Sequence, residues 1–317
     1  MNSLTVLICT HNRLTLLQRT IDFLNKIKRP DNCTISLFVA ANACTDETVN
    51  YLKQYQHTGN RFQLPLTWIE ESKPGKSNAL NSAIPRLDTV AVAMVDDDHR
   101  VDSNYFIAID KALTNYPDAD FFCGKIIPDW NGSEPQWVHD QGKYRIYPLP
   151  VPRFELGEQA IQVNREIAVP GGGNLAIRTT LFNKVGYFST ELGPVGHNLS
   201  GGEDYQWVVR AYSAGATLQY IPDMIQYHYV ENQRLVTRYL VKKSFERTAS
   251  VTQLSQAAQT YTGPLFPRYL LKKAISYLLH LLFSLPNSAR RFYLVRLAAA
   301  LGEISGFVKA KKTKFNH

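Results

Sequence analysis

The stretch Met94-Val-Asp-Asp-Asp-His-Arg-Val-Asp102 sets three successive carboxylates, Asp96, Asp97 and Asp98, behind an apolar run with the composition of a buried strand. Held still without partners, that much negative charge at a strand end is costly. A divalent cation removes the cost, and hard oxygen ligands beside an anionic substrate suit Mg2+ or Mn2+. A metal that carries a phosphorylated substrate is therefore expected here. The alternative is an acidic turn capping a helix that begins near Ser103, since Asp and Ser both favour such positions.

Upstream of that stretch, strand-like and helix-like segments alternate, the pattern of a parallel sheet covered by crossover helices. LTVLIC (4–9), ISLFVAA (35–41), LTWIEE (66–71) and TVAVAMV (89–95) read as strands. TLLQRTIDFLNKI (15–27), TDETVNYLKQY (45–55) and SNALNSAI (77–84) read as helices, the second opening on Thr45 or Asp46 as its N-cap. Ligands of such sheets gather at the carboxyl ends of the strands. The polar clusters fall at those ends: Thr10, His11, Asn12 and Arg13 after the first, Asn42 and Asp46 after the second, Lys73 to Asn78 after the third, and the aspartates after the fourth. No G-x-G-x-x-G follows the first strand. Gly75-Lys76-Ser77 lacks the upstream glycine of a phosphate loop, so a dinucleotide or P-loop triphosphate is disfavoured.

Downstream, VPGGGNLAIRTTLFNKVGYF (169–188) places Gly171, Gly172 and Gly173 before a strand and a helix, either as a tight turn or to let backbone amides approach a ligand. GGEDYQWVVRAYSAG (201–215) sets Glu203 and Asp204 at the start of an amphipathic helix, where the macrodipole favours ionised carboxylates. A strand, ATLQYIPDMIQYH (216–228), then ends on His228. Between the halves, 128–165 is irregular and carries Trp130, Trp137, Tyr144 and Tyr147, whose faces suit a sugar ring or form a small satellite core.

With 317 residues, 44% hydrophobic and 20% charged, the chain can bury a large domain plus an extension. Its N-terminus reads as a first strand with no secretory leader. Cys9, Cys33, Cys44 and Cys123 lack paired short spacing, which argues against a zinc site and a dense disulfide framework and fits a reducing cytoplasm. Asn131-Gly132-Ser133 matches a glycosylation acceptor formally and is assigned no role. From Arg268 onward there are ten Lys and Arg and one acid, Glu303, so the net charge of +8 resides in the tail. AISYLLHLLFSL (274–285) is too short to cross a bilayer, for which about 20 residues are needed. The following segment mixes an apolar face with Arg290, Arg291, Arg296, Lys309, Lys311 and Lys312, so residues 268–317 are expected to lie on an anionic membrane surface. The alternative is a helical pair packed on protein through Gly302 and Gly306. Nucleic acid is not expected as a partner, because no binding module accompanies the basic residues.

VLICTHNR, ANACTDET, KPGKSNALN, MVDDDHRVD, PGGGNLAIRTTLFNKVGYF and GGEDYQWVVRAYSAG occur together, in order, over about residues 4–230. In this the chain resembles a family 2 glycosyltransferase of the GT-A fold, of the inverting, bacterial polysaccharide type. The resemblance implies an α/β architecture: a Rossmann-like nucleotide-binding sheet, a mixed acceptor-side sheet and C-terminal amphipathic helices. It implies a catalytic domain over 1–230, with a nucleotide-sugar half (1–127) and an acceptor half (128–230). Residues 231–317 are then a basic helical extension.

By the same resemblance Thr10, His11, Arg13, Asn42, Lys76, Asn78, Asp96 and Asp97 surround a nucleotide-sugar donor, a UDP-sugar being favoured. Asp98, Asp96 and His228 are placed at a divalent cation, Mg2+ or Mn2+. Gly172, Gly173 and Asn174 match the acceptor-side loop, to which Trp130 and Trp137 contribute aromatic faces. Asp204, beside Glu203, occupies the position of the general base. One departure stands out: where many members read Asp-Asn after the second strand, this chain has Ala41-Asn42, so the usual carboxylate to the base is absent. The activity implied is transfer of a sugar to a glycan or lipid-linked acceptor in polysaccharide or cell-surface glycan assembly, in the cytoplasm at the inner face of the membrane. Two other classes stay open. A sugar nucleotidyltransferase would carry a glycine-rich basic loop after the first strand, and Thr10-His11-Asn12-Arg13 is not one. A catalytically silent membrane-bound interaction protein would tolerate loss of Asp98, Glu203 and Asp204, all of which are intact.

Overall fold

The computed structural model describes residues 1–57, 63–130, 132–147, 149, 151–191, 202–258 and 266–315; Asn131 of the formal glycosylation signal and Gly201 lie outside the described residues. β1 (Asn2–Thr10), α1 (Leu14–Lys26), β2 (Cys33–Asn42), α2 (Thr48–His57), β3 (Leu66–Glu71), α3 (Lys76–Ala83) and β4 (Ala91–Met94) alternate in the order expected. The chain continues through β5 (His99–Val101), α4 (Tyr105–Asn115), β6 (Phe121–Asp129), β7 (Ile161–Val163), β8 (Leu175–Arg178), α5 (Leu181–Val185), α6 (Glu203–Ser213) and β9 (Leu218–Tyr229). It ends in α7 (Thr237–Ala258), α8 (Arg268–Phe283) and α9 (Asn287–Phe315).

The strands form one mixed sheet in the order β3-β2-β1-β4-β8-β6-β9-β5, with β7 paired to β9. β1, β2, β3 and β4 run parallel, while β8 is antiparallel to both β4 and β6. Helices cover both faces, which is why β1 is a continuous apolar run instead of an alternation. Leu4, Val6 and Ile8 point to the face packed by Leu17, Ile21 and Leu24 of α1 and Ile109 of α4. Leu7 points the other way, into a layer with Leu80 and Ala83 of α3 and Trp207 and Val208 of α6. The two-residue period of the strand and the roughly 3.6-residue period of the helices explain this division. Asp46 accepts the Thr48 backbone N–H at 3.2 Å, so it caps α2.

The chain divides into two compact units, residues 1–129 with 152–229 and residues 130–151 with 230–317. The first holds all nine strands found among the described residues. The second joins the aromatic segment 130–151 to the C-terminal helices, and 130–151 lies outside the first unit. Within it Val138, Val151, Val230 and Leu235 form a small core with Trp130, Trp137 and Leu149 against them. Arg291 of α9 stacks over Trp137 at 4.7 Å, and Tyr144 meets Phe292 and Tyr293 edge-on. Gly302 and Gly306 of α9 seat it on α7: a Cβ at Gly302 would fall 2.1 Å from Thr248 Oγ1, and one at Gly306 would fall 2.5 Å from the Ala249 carbonyl. No helix among the described residues is long and apolar enough to cross a membrane.

Candidate active site

The aspartate stretch leaves β4 and turns into β5, a three-residue strand that sequence periodicity does not reveal. Asp97 turns inward. It is 5% exposed and accepts from Thr10 Oγ1 at 2.7 Å and from Arg13 at 3.2 Å. Burial, and then repulsion from Asp98, raise its pKa to about 6 against the pull of Arg13 and Thr10. Asp98 also takes Arg13, at 3.1 Å. Asp96 takes Lys76 Nζ at 2.8 Å. Burial favours the neutral form of Asp96, but Lys76 outweighs it and holds this carboxyl far below the ordinary range. Burial alone would lower the pKa of Lys76; Asp96 and Asp204 outweigh that and keep it raised.

Lys76 reaches this position through a loop organised by Asn42. Buried at the end of β2, Asn42 donates to the carbonyls of Glu71 and Lys73 and accepts the Gly75 N–H at 2.7 Å. Its amide is therefore committed to shaping the lysine loop, and its carbonyl accepts His11 Nδ1–H at 2.7 Å. Gly75 has φ +127°, a region that side chains avoid. Asn78 bonds back to the Pro74 carbonyl at 2.9 Å in the first turn of α3.

The short 3-10 turn Gly172–Asn174 lies against Asp204 in the first turn of α6. A Cβ at Gly172 would lie 2.3 Å from the Asp204 carboxylate, and one at Gly173 would lie 3.0 Å from His99 and 3.1 Å from Asp96. These glycines therefore allow the turn to approach Asp204, His99 and Asp96 at once. Asp204 Oδ2 stands 4.0 Å from Lys76 Nζ, and its buried Oδ1 has no hydrogen-bond partner. Glu203 Oε2 is likewise buried and unpartnered, and burial followed by Asp204 raises the Glu203 pKa. Lys76 thus links Asp96 to Asp204. Of the predicted groups, Arg13, Lys76, Asp96, Asp97, Asp98, Asp204 and His228 come together through these contacts, whereas Trp130 and Trp137 belong to the second unit.

β5 pairs antiparallel with β9, placing His99 directly opposite His228. Residues so paired share a face of the sheet, and the two imidazole rings lie 4.8 Å apart. Asp98 Oδ1 is 3.8 Å from the Nε2 of each. Asp98, His99 and His228 offer ligand atoms within 4.8 Å of one another. Burial lowers the His228 pKa, which favours a ring able to ligate. Five carboxylates, Asp96, Asp97, Asp98, Glu203 and Asp204, face two cationic side chains, Arg13 and Lys76, among the described residues. That surplus of negative charge, together with the unpartnered buried His99 Nε2, fits a bound cation. His99 was not singled out by sequence. The signals for it are the period-two burial of β9 at Met224, Gln226 and His228, and the register that sets His99 against that face.

The sequence matches the family model described as glycosyltransferase-like family 2 over residues 2–255. No curated protein matches it by sequence. Similar solved structures include Staphylococcus aureus TarS 1-349 in complex with UDP-GlcNAc, at 17% identity and a TM-score of 0.55, covering 94% of this chain and 90% of that one. Another is the mannosyltransferase PcManGT from Pyrobaculum calidifontis in complex with GDP-Man and Mn2+, at 16% identity and a TM-score of 0.57, covering 98% and 87%.

Proposed function

From the premise that the chain belongs to glycosyltransferase family 2 and has the GT-A fold, we propose that it is a metal-dependent, inverting enzyme that moves a sugar from a nucleotide-sugar donor to a glycan or lipid-linked acceptor. The observation that carries this is the Lys76 bridge, 2.8 Å from Asp96 and 4.0 Å from Asp204, which ties a donor-side carboxylate to one on the acceptor side. Asp98, Asp96 and His228 would hold the cation. When bound, it offsets the charge that builds on the departing diphosphate.

The remaining steps belong to the chain's own residues. Thr10 and Arg13 hold Asp97 and Asp98 in place, and Lys76, carried on the loop that Asn42 organises, supplies a positive charge to the diphosphate, with His11 and Asn78 beside the nucleotide. Asp204 Oδ1 takes the proton of the acceptor hydroxyl as its oxygen bonds to the anomeric carbon and the bond to the diphosphate breaks on the opposite face. Burial, and then the Asp204 carboxylate, raise the pKa of the neighbouring Glu203. Gly172 provides the space in which Asp204 points at the acceptor. The donor is a UDP-sugar or a GDP-sugar, the classes bound by TarS and PcManGT. Nucleoside diphosphate release from a panel of such donors, with Mn2+ and with Mg2+, tests the proposal. Release from one donor, abolished by a chelator, is expected; no release from any donor with either metal contradicts it.

An anionic membrane surface is the proposed location of the acceptor. Support comes from α8, where Leu271, Ile275, Leu278, Leu279, Leu282 and Phe283 are exposed on one side. Arg268 and Lys272 are exposed beside them at its start, and the helix contains no acid. An apolar stripe with a basic end suits the headgroup region of anionic lipid. α9, with Ala298, Gly302, Gly306 and Phe307 packed inward, serves as its support.

A further inference from the structure

A chain of buried amides fixes which nitrogen of His99 carries its proton. Asn174 Nδ2 donates to two backbone carbonyls, Lys125 and Met224, each at 2.8 Å. Its Oδ1 is therefore the acceptor, taking Tyr105 O–H at 3.0 Å and Gln226 Nε2 at 3.1 Å. Gln226 Nε2 also donates to the Met94 carbonyl at 2.9 Å and meets Tyr105 Oη at 2.7 Å. The amide oxygen of Gln226 is left to face His99 Nδ1, with which it is hydrogen-bonded. An amide oxygen only accepts, so Nδ1 carries the hydrogen and Nε2 of the neutral ring presents a lone pair.

That Nε2 is buried and has no hydrogen-bond partner. Its polar neighbours are carboxylate oxygens, Asp98 Oδ1 at 3.8 Å and Asp96 Oδ2 at 3.9 Å, too far for a hydrogen bond and themselves acceptors. His228 repeats the arrangement. Its Nδ1 donates to the Tyr229 carbonyl at 2.6 Å, so Nε2 of its neutral ring also presents a lone pair, 3.8 Å from Asp98 Oδ1. With both rings neutral, two imidazole lone pairs and a carboxylate converge, an arrangement complementary to a cation with bonds of about 2.1 Å. An imidazole whose other nitrogen donates to a fixed protein acceptor is the usual form of a metal-ligating histidine.

We propose that His99 is a direct ligand of the cation alongside Asp98 and His228, with Gln226, Asn174 and Tyr105 as the residues that position it. This rests on the metal dependence proposed above. Two nitrogen donors suit Mn2+ and later divalent ions better than Mg2+, whose preferred shell is oxygen. The site should therefore bind Mn2+ at least about tenfold more tightly than Mg2+.

The test is pulsed electron paramagnetic resonance of Mn2+ bound to the purified full chain, alone and with UDP or GDP, beside calorimetric titration. Expected are two imidazole 14N couplings in the wild type and one in His99→Gln or His228→Gln, with Mn2+ affinity reduced in each. Gln226→Leu, which keeps His99 but removes its acceptor, should weaken Mn2+ binding about 10- to 100-fold. Wild-type couplings and affinity in both His99→Gln and His99→Ala overturn the assignment while leaving metal dependence standing. Absence of Mn2+ binding in the wild type under every condition removes both.

Discussion

At the scale of single residues, the site is set by what each side chain cannot do elsewhere. Gly172 faces the Asp204 carboxylate so closely that no Cβ fits, and its φ is not in the left-handed region. Gly172→Ala should therefore leave the fold intact while pushing Asp204 aside. A fall of about 100-fold in kcat is expected, because small misplacements of a reacting group carry that cost; unchanged kcat in a folded variant would show that Asp204 is not confined there. Asp97 makes a pH-dependent contribution. Its folded pKa, about 6, exceeds the ordinary carboxylate value near 4. The folded state thus holds a proton that the unfolded state has lost, and stability falls as pH rises across that interval. Without added metal, Asp97→Asn should gain on the wild type by about 2–3 kcal/mol between pH 4 and pH 7. Denaturant titrations at several pH values measure this, and parallel stability curves for the two proteins would contradict it.

At the scale of elements, strand pairing does what adjacency in sequence cannot. The β5–β9 register brings His99 to His228 across more than a hundred residues. This is where the legibility of the sequence ends. The parallel half was readable because β1, β2 and β4 are apolar runs ending in polar loops, and because α1 carries its apolar residues at helical spacing. Asp96, Lys76 and Asp204 were readable from their motifs. A three-residue strand carries too few side chains to show a period, so β5 and the partner it brings to His228 were not readable. Nor did the motif positions of Thr10, Asn42 and Asn174 reveal that their side chains are spent inside the protein, on Asp97, on the lysine loop and on Gln226. Trp130 and Trp137 were ambiguous for another reason, since composition does not distinguish an aromatic face awaiting a sugar from one packed beneath Arg291. In the C-terminal helices, Gly302 of α9 lies so close to α7 that a Cβ there would meet Thr248 and the Phe245 carbonyl. Gly302→Leu should cost roughly 1–3 kcal/mol of stability by overpacking. Calorimetric melting tests it, and an unshifted transition would place the glycine off the helix contact.

At the scale of the whole molecule, the distribution of charge and apolar surface separates two tasks. The turn after β4 and the start of α6 gather acids in a body of near-neutral charge, while the tail from Arg268 carries the basicity. Flotation with phosphatidylglycerol vesicles should recover the wild-type chain at low salt and lose most of it for Leu279→Glu with Leu282→Glu. Equal recovery of the two would remove α8 from membrane contact. The proposed chemistry turns on one carboxylate, Asp204. Asp204→Asn keeps the size of the side chain and removes its capacity to accept a proton. With the responsive donor and Mn2+, we predict a loss of turnover of about 10²- to 10⁴-fold, with donor affinity by calorimetry within threefold of wild type. Turnover of the Asn variant at the wild-type rate would contradict the assignment of Asp204 as the base.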